Sequence, residues 1–219
     1  MPCGDRAGAT LNIRFSFDPE RVAALETAAW RAYYDREWLK LLYFTERACA
    51  EQFHVPFPLS LQAAYYATRG AIAFKPVDNN VPLALAACTR YFEIVRRYSG
   101  LTFEPAGVAR IEVRYWEVHR RLSGSDDHGE LADTFADLHA ATFGLPRDGA
   151  RESAAWRTRA AITVDNITGG RSTDIEGDWR RLKGELRGCY RSLTREIATV
   201  SASPARHRRR ASGRIGTVV

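Results

Sequence analysis

The chain has 219 residues, 45% of them apolar, 26% charged and 11% aromatic, with a net charge of +6. That length supports one substantial core, and the apolar fraction is too high for a disordered chain. No apolar run reaches the roughly 18 to 20 residues that cross a bilayer. The charge is local, since Arg206, Arg208, Arg209, Arg210 and Arg214 stand after residue 200 with no acid among them, leaving the rest close to neutral. Such a body has little field to attract a polyanion and carries no dedicated nucleic-acid motif, whereas the tail can contact one. Residues 1–10 are small and polar, without the apolar stretch of a secretory leader, so a cytoplasmic protein is expected. Cys3, Cys49, Cys88 and Cys189 lie far apart with no C-x-x-C pair, which points to buried thiols rather than a zinc ribbon or a redox dithiol.

In chain order, Leu11, Ile13, Phe15 and Phe17 alternate with Asn12, Arg14 and Ser16, the period of a strand. No second strand follows, so residues 1–17 are predicted to form an extended arm, packed on the body or exchanged with a second subunit. Asp18, Pro19 and Glu20 supply a cap, a proline at the first helical position and an early acid. From there neither Pro nor Gly interrupts the chain before Pro56, which predicts a single helix over 19–53. Trp30, Tyr34, Trp38, Leu41, Leu42, Tyr43 and Phe44 surround this helix instead of forming a stripe, which would place it at the centre of the fold.

Apolar periodicity between Pro and Gly punctuation predicts further helices over 59–74, 80–99, 105–122, 130–143 and 148–167. A last helix carries Trp179, Leu182, Leu186, Cys189, Leu193, Ile197 and Val200 on one face. Seven helices on short connections make an all-α helical bundle over 18–200, followed by a basic tail over 201–219 without apolar periodicity, expected to be disordered. No repeat of 30 to 45 residues is present, which excludes the helical solenoids.

On a helical wheel through 19–53, Glu26, Glu37 and Glu51 share one side with Tyr33 and Phe44. Carboxylates on an aromatic side need an arginine, a hydrogen-bond network, protonation or a metal, and Glu37 sits deepest among the rings. Glu51 and His54 form an E-x-x-H pair, half of the motif that di-iron and di-manganese bundles repeat, and no second copy exists in the chain. Glu37, Glu51 and His54 are therefore the candidate ligands for iron or manganese. His119 and His139 lie at the edges of the stripes in their helices and would join a site only if both line one cavity with Glu37. Asp133 and Asp137 have the spacing of a magnesium-diphosphate motif but fall opposite the apolar face of their helix, and the Gly169-Gly170-Arg171 loop lacks the P-loop pattern. No nucleophile elbow is present.

Tyr65, Tyr66, Tyr91, Tyr98, Tyr115 and Trp116 add many polar-tipped rings whose hydroxyl and indole groups need partners. The leading expectation is an interior that binds a small apolar or aromatic ligand, lined by Trp30, Tyr34, Glu37, Trp38, Tyr66, Tyr115, His119 and His139. The alternatives are a metal-dependent, di-iron-like oxidoreductase and a scaffold or protein-interaction module. A homo-oligomer is expected in either case.

Overall fold

The computed structural model describes residues 15–202. They form eight helices: α1 (Pro19–Tyr34), α2 (Trp38–Phe53), α3 (Leu59–Phe74), α4 (Val81–Ser99), α5 (Pro105–Leu122), α6 (Gly129–Phe143), α7 (Arg151–Thr168) and α8 (Ile175–Ala202). There is no strand among the described residues, and no helix there is long and apolar enough to cross a membrane. The all-α architecture read from the periodicity is the one observed.

The single helix expected over 19–53 is two helices. After Tyr34 the chain turns at Arg36, which adopts the left-handed conformation at φ 59°. The Glu37 amide donates back to Ala32 O at 2.8 Å and the Arg36 amide to Tyr33 O at 3.3 Å, a helix stop that normally uses glycine. With Arg in that place, the sequence carries no visible punctuation. The break also resets the helical phase, so the common face computed for Glu26, Glu37 and Glu51 does not exist. The other boundaries lie within a few residues of those predicted, fixed by caps such as Asp18, whose carboxylate accepts from the Glu20 and Arg21 amides.

Each helix packs on its neighbours in sequence, and α8 returns to pack on α1, so the eight close into a ring. One apolar cluster centres on Leu131, Phe135, Val95 and Val108, and a second, formed where α8 closes the ring, on Val22, Leu182, Leu186 and Leu193. Phe15 and Phe17, the end of the expected arm, pack on this body: Phe15 lies against Phe53 and Phe143, Phe17 against Tyr190. The remainder of that arm, residues 1–14, and the tail from 203 lie outside the described residues.

The ring is built twice from the same four-helix plan. Phe17-Asp18-Pro19 opens α1 and Phe103-Glu104-Pro105 opens α5; both Phe are buried, and Glu104, like Asp18, caps the two amides that follow its proline. Val22, Ala23, Glu26 and Trp30 then recur as Val108, Ala109, Glu112 and Trp116, with the same buried and half-buried positions. Between α2 and α3, Phe53-His54-Val55-Pro56 matches Phe143-Gly144-Leu145-Pro146, and His54 and Gly144 are both left-handed helix stops. Thr68-Arg69-Gly70-Ala71-Ile72 in α3 matches Thr158-Arg159-Ala160-Ala161-Ile162 in α7, again with a closely matching burial pattern. Phe53 and Phe143, counterparts in this register, stack on each other with centroids 6.2 Å apart and planes 12° apart, as residues meeting near a two-fold axis do.

Candidate functional site

Closing eight helices into a ring leaves a central cavity of about 580 Å³, within the range of small-molecule pockets. The stacked Phe53 and Phe143, with Phe15 behind them, floor it. At the opposite end its lining reaches Arg36, Arg120 and Ser123, which are exposed, so the cavity opens where α1, α3, α5 and α7 finish. Two of the three rim cations, Lys75 and Arg120, are engaged with backbone or rings. Lys75 Nζ donates to Tyr33 O at 3.0 Å and lies 4.0 Å from the centre of the Tyr33 ring, while Arg120 donates to the carbonyls of Phe74, Lys75 and Pro76 that end α3. The walls are aromatic, with Trp30, Tyr34, Tyr91, Tyr115 and Trp116 prominent.

Deep in the wall, Arg157 of α7 crosses to Glu26 of α1. Its two terminal nitrogens donate to Glu26 Oε1 at 2.5 Å and Oε2 at 3.2 Å, and the Tyr190 hydroxyl donates to Oε2 as well. The guanidinium sits between the rings of Trp30 and Phe135, 5.6 and 5.4 Å from their centres. Burial works most strongly against its charge, and the Glu26 carboxylate together with Tyr190, Tyr115 and Cys189 outweighs that, holding Arg157 charged well above the ordinary arginine range. Burial, aided by Glu26, pushes the Tyr190 phenol well up, so it remains a donor.

Glu112 of α5, the counterpart of Glu26, has no such cation bonded to it among the described residues. Its Oε1 accepts from Trp116 Nε1 at 3.1 Å, and protein surrounds the carboxyl so completely that the surface it retains faces the cavity. Burial raises its pKa to about 7, against the field of Arg157 and the Trp116 hydrogen bond and with help from Glu26. His139 Nδ1 is 2.8 Å from Ser153 Oγ, which itself donates to Ala150 O at 2.8 Å. The hydroxyl proton is thereby committed, so Nδ1 carries the ring proton and Nε2 keeps its lone pair. Burial first and Arg157 second hold this imidazole neutral, with its pKa well below the usual value. His119 stacks on Tyr115, and its Nε2 lies 3.1 Å from Asp165 Oδ1, at ion-pair distance but off the line of a hydrogen bond.

No family model, no curated protein and no solved structure matches the chain. The reading therefore rests on the site itself.

Of the residues singled out as ligand contacts, Trp30, Tyr34, Tyr115, His119 and His139 line the cavity. Trp38 packs outside it against Ala29, Ala32 and Leu41, and Tyr66 lies against Tyr65, also outside it. Glu37, placed by the helix break at the exposed start of α2, bonds Lys40 at 2.6 Å. The candidate metal ligands have separate occupations: besides that Glu37 pair, Glu51 pairs with Arg21 at 3.0 Å and His54 Nε2 contacts Ser16 O at 2.6 Å. Among the described residues no three His, Cys, Asp or Glu side chains form a group able to hold a metal. Asp133 and Asp137 face outward, where both pair with Arg147.

Arg157, Tyr190, Glu112, Asp165 and Lys75 escaped the sequence reading. Arginine in the middle and aspartate in the last turn of an α7 with a weak apolar stripe read as surface residues, because which helix face meets the cavity is set by ring closure. One signal was present: the repeated F-[DE]-P-x-x-V-A-x-x-E-x-x-x-W string marks Glu26 and Glu112 as equivalent positions.

Proposed function

We propose that this protein binds a small, largely apolar or aromatic molecule inside the helical ring. The single observation that carries the proposal is the cavity: about 580 Å³, walled by aromatic rings, open at one end, with charged and hydrogen-bonding side chains fixed inside it. A plain core closes such space, since protein interiors pack to crystal density and voids cost stability. Here the ring holds it open with a buried ion pair and a neutral imidazole, groups of the kind that orient a ligand within an apolar pocket.

The test is extraction and mass spectrometry of the purified chain, together with titration by p-cresol and indole while tryptophan fluorescence is followed, because Trp30 and Trp116 line the wall. Saturable quenching in the native protein, lost when Ala71→Trp fills the lining, is the expected result. A chain that carries no compound and shows no saturable response to either probe refutes the proposal.

A further inference from the structure

This inference rests on the ligand-binding reading above and assigns the ligand its charge. The two halves of the ring present one carboxylate each to the same cavity, Glu26 and Glu112, at equivalent positions of α1 and α5. In one half the carboxylate is answered by Arg157, reaching across from α7. The equivalent helix of the other half is α3, and the register fixed by Thr68 and Thr158, Arg69 and Arg159 puts Ala67 where Arg157 would stand. Ala67 and Glu112 both line the cavity. The space that an arginine side chain fills on one side is thus left to the cavity on the other, which is shared by a carboxyl group whose only hydrogen bond among the described residues is from an indole.

We propose that the ligand supplies the missing cation: a small aromatic amidine, guanidine or amine whose charged head pairs with Glu112 as Arg157 pairs with Glu26, and whose ring lies against the aromatic wall. Trp116 stands beside Glu112 as Trp30 stands beside the Arg157 guanidinium, so a cation there meets both a carboxylate and a ring face. The charges around the cavity agree. Besides Glu112, the interior holds the Glu26 and Asp165 carboxylates against the single Arg157 guanidinium, with His139 neutral. Lys75 and Arg120 at the rim are committed to backbone carbonyls, so they slow the entry of a cation without competing for Glu112.

The groups that act on Glu112 are Arg157 of α7 and Glu26 of α1, with Trp116 on its own helix; Cys88 and Tyr91 face it from α4, and Tyr115 is its neighbour on α5. Burial keeps the Cys88 thiol and both phenols neutral, so among these groups Glu112 is the one that changes charge near neutral pH. Pairing with a cation drives off the proton that the empty site holds. Affinity therefore rises with pH by up to about tenfold per unit below neutrality and levels above it.

The probes are benzamidine, its neutral isostere benzamide, and benzoate, titrated calorimetrically into the full chain from pH 5.5 to 8.5. Benzamidine is expected to bind at least about tenfold more tightly than benzamide at pH 8, and to release a proton to the buffer when titrated below pH 7. Glu112→Gln should bring the two to equal affinity, and Ala67→Arg should abolish binding of both while raising the melting temperature. Should the arginine variant fail to fold, the comparison with Glu112→Gln still decides. Benzamide or benzoate binding as well as benzamidine, or a benzamidine preference that survives Glu112→Gln, overturns the charge assignment and leaves small-molecule binding standing. Failure of all three probes to bind the native chain overturns the charge assignment, and the ligand-binding reading falls with it when p-cresol and indole fail as well.

Discussion

Glu26→Leu tests the pair on which the closed ring depends. In the native chain its carboxylate accepts two donors from Arg157 and one from Tyr190, and the two charged side chains are only 15% and 10% exposed. Removing the carboxylate strands a guanidinium between Trp30 and Phe135 with no counter-charge bonded to it. Breaking a buried pair from one side costs about 3 to 5 kcal/mol, far above the cost of losing an exposed pair. For a chain of this size each kcal/mol moves the midpoint by about 2 to 4 °C, so the melting temperature should fall by about 6 to 20 °C. Arg157→Met should cost a comparable amount by leaving the carboxylate unpaired. The double variant, which replaces both charges by apolar groups of similar volume, should recover most of the loss. Urea unfolding of the four proteins gives the coupling energy directly. A Glu26→Leu loss below about 1 kcal/mol, or a double variant whose loss equals the sum of the singles, would refute the claim that the pair is desolvated.

Stability should depend on pH through two groups that oppose one another. Glu112 has its folded pKa raised to about 7, so its contribution is fully present below the unfolded carboxyl value and is lost as pH rises toward 7, a swing of about 3 kcal/mol. His139 is held neutral, so its contribution is present above the ordinary imidazole pKa and is lost as pH falls below it. The two slopes offset each other in mildly acid solution: Glu112→Gln should expose the acid loss and His139→Gln the loss toward neutral pH, each read as a midpoint series against pH. On α8, Gly188→Ala should destabilise by about 1 to 3 kcal/mol, because its methyl would lie 2.7 Å from the Trp156 ring. Gly184→Ala on the same helix meets nothing within 4 Å and should stabilise by up to about 1 kcal/mol; equal effects of the two would contradict the close approach of α7 and α8. Arg36→Gly should raise stability by about 0.5 to 1 kcal/mol by relieving the left-handed residue between α1 and α2, and a loss instead would mean that the Arg36 side chain holds the turn. Cys49 and Cys189, both buried with pKa pushed up to about 12, should react with iodoacetamide only as fast as the chain opens.

Local chemistry was enough to mark most of the helices. Asp18-Pro19, Asn80 with Pro82, Glu104-Pro105 and the left-handed Gly100 and Gly144 are signals carried by a few adjacent residues, and the chain obeys them. Arg36 shows where that legibility stops, since a left-handed helix stop without glycine is decided by backbone hydrogen bonds that no residue type announces. Aromatic content and carboxylates on the first helix do demand partners, yet the spacing assigns to Glu37 the burial that belongs to Glu26, because no residue type marks the break between α1 and α2. The internal duplication is also present in the sequence, at a period longer than that of a helical solenoid.

What the sequence by itself determined is the all-α class, the segments that become helices and the faces they bury, because spacing and capping act over a few residues. Ring closure was decided only by the tertiary structure. It brings Arg157 to Glu26 from 131 positions away and leaves Glu112 facing a cavity opposite Ala67. Which charge meets which, and which finds only empty space, follows from the packing of helices distant in sequence, and desolvation then turns those meetings into the properties of the site.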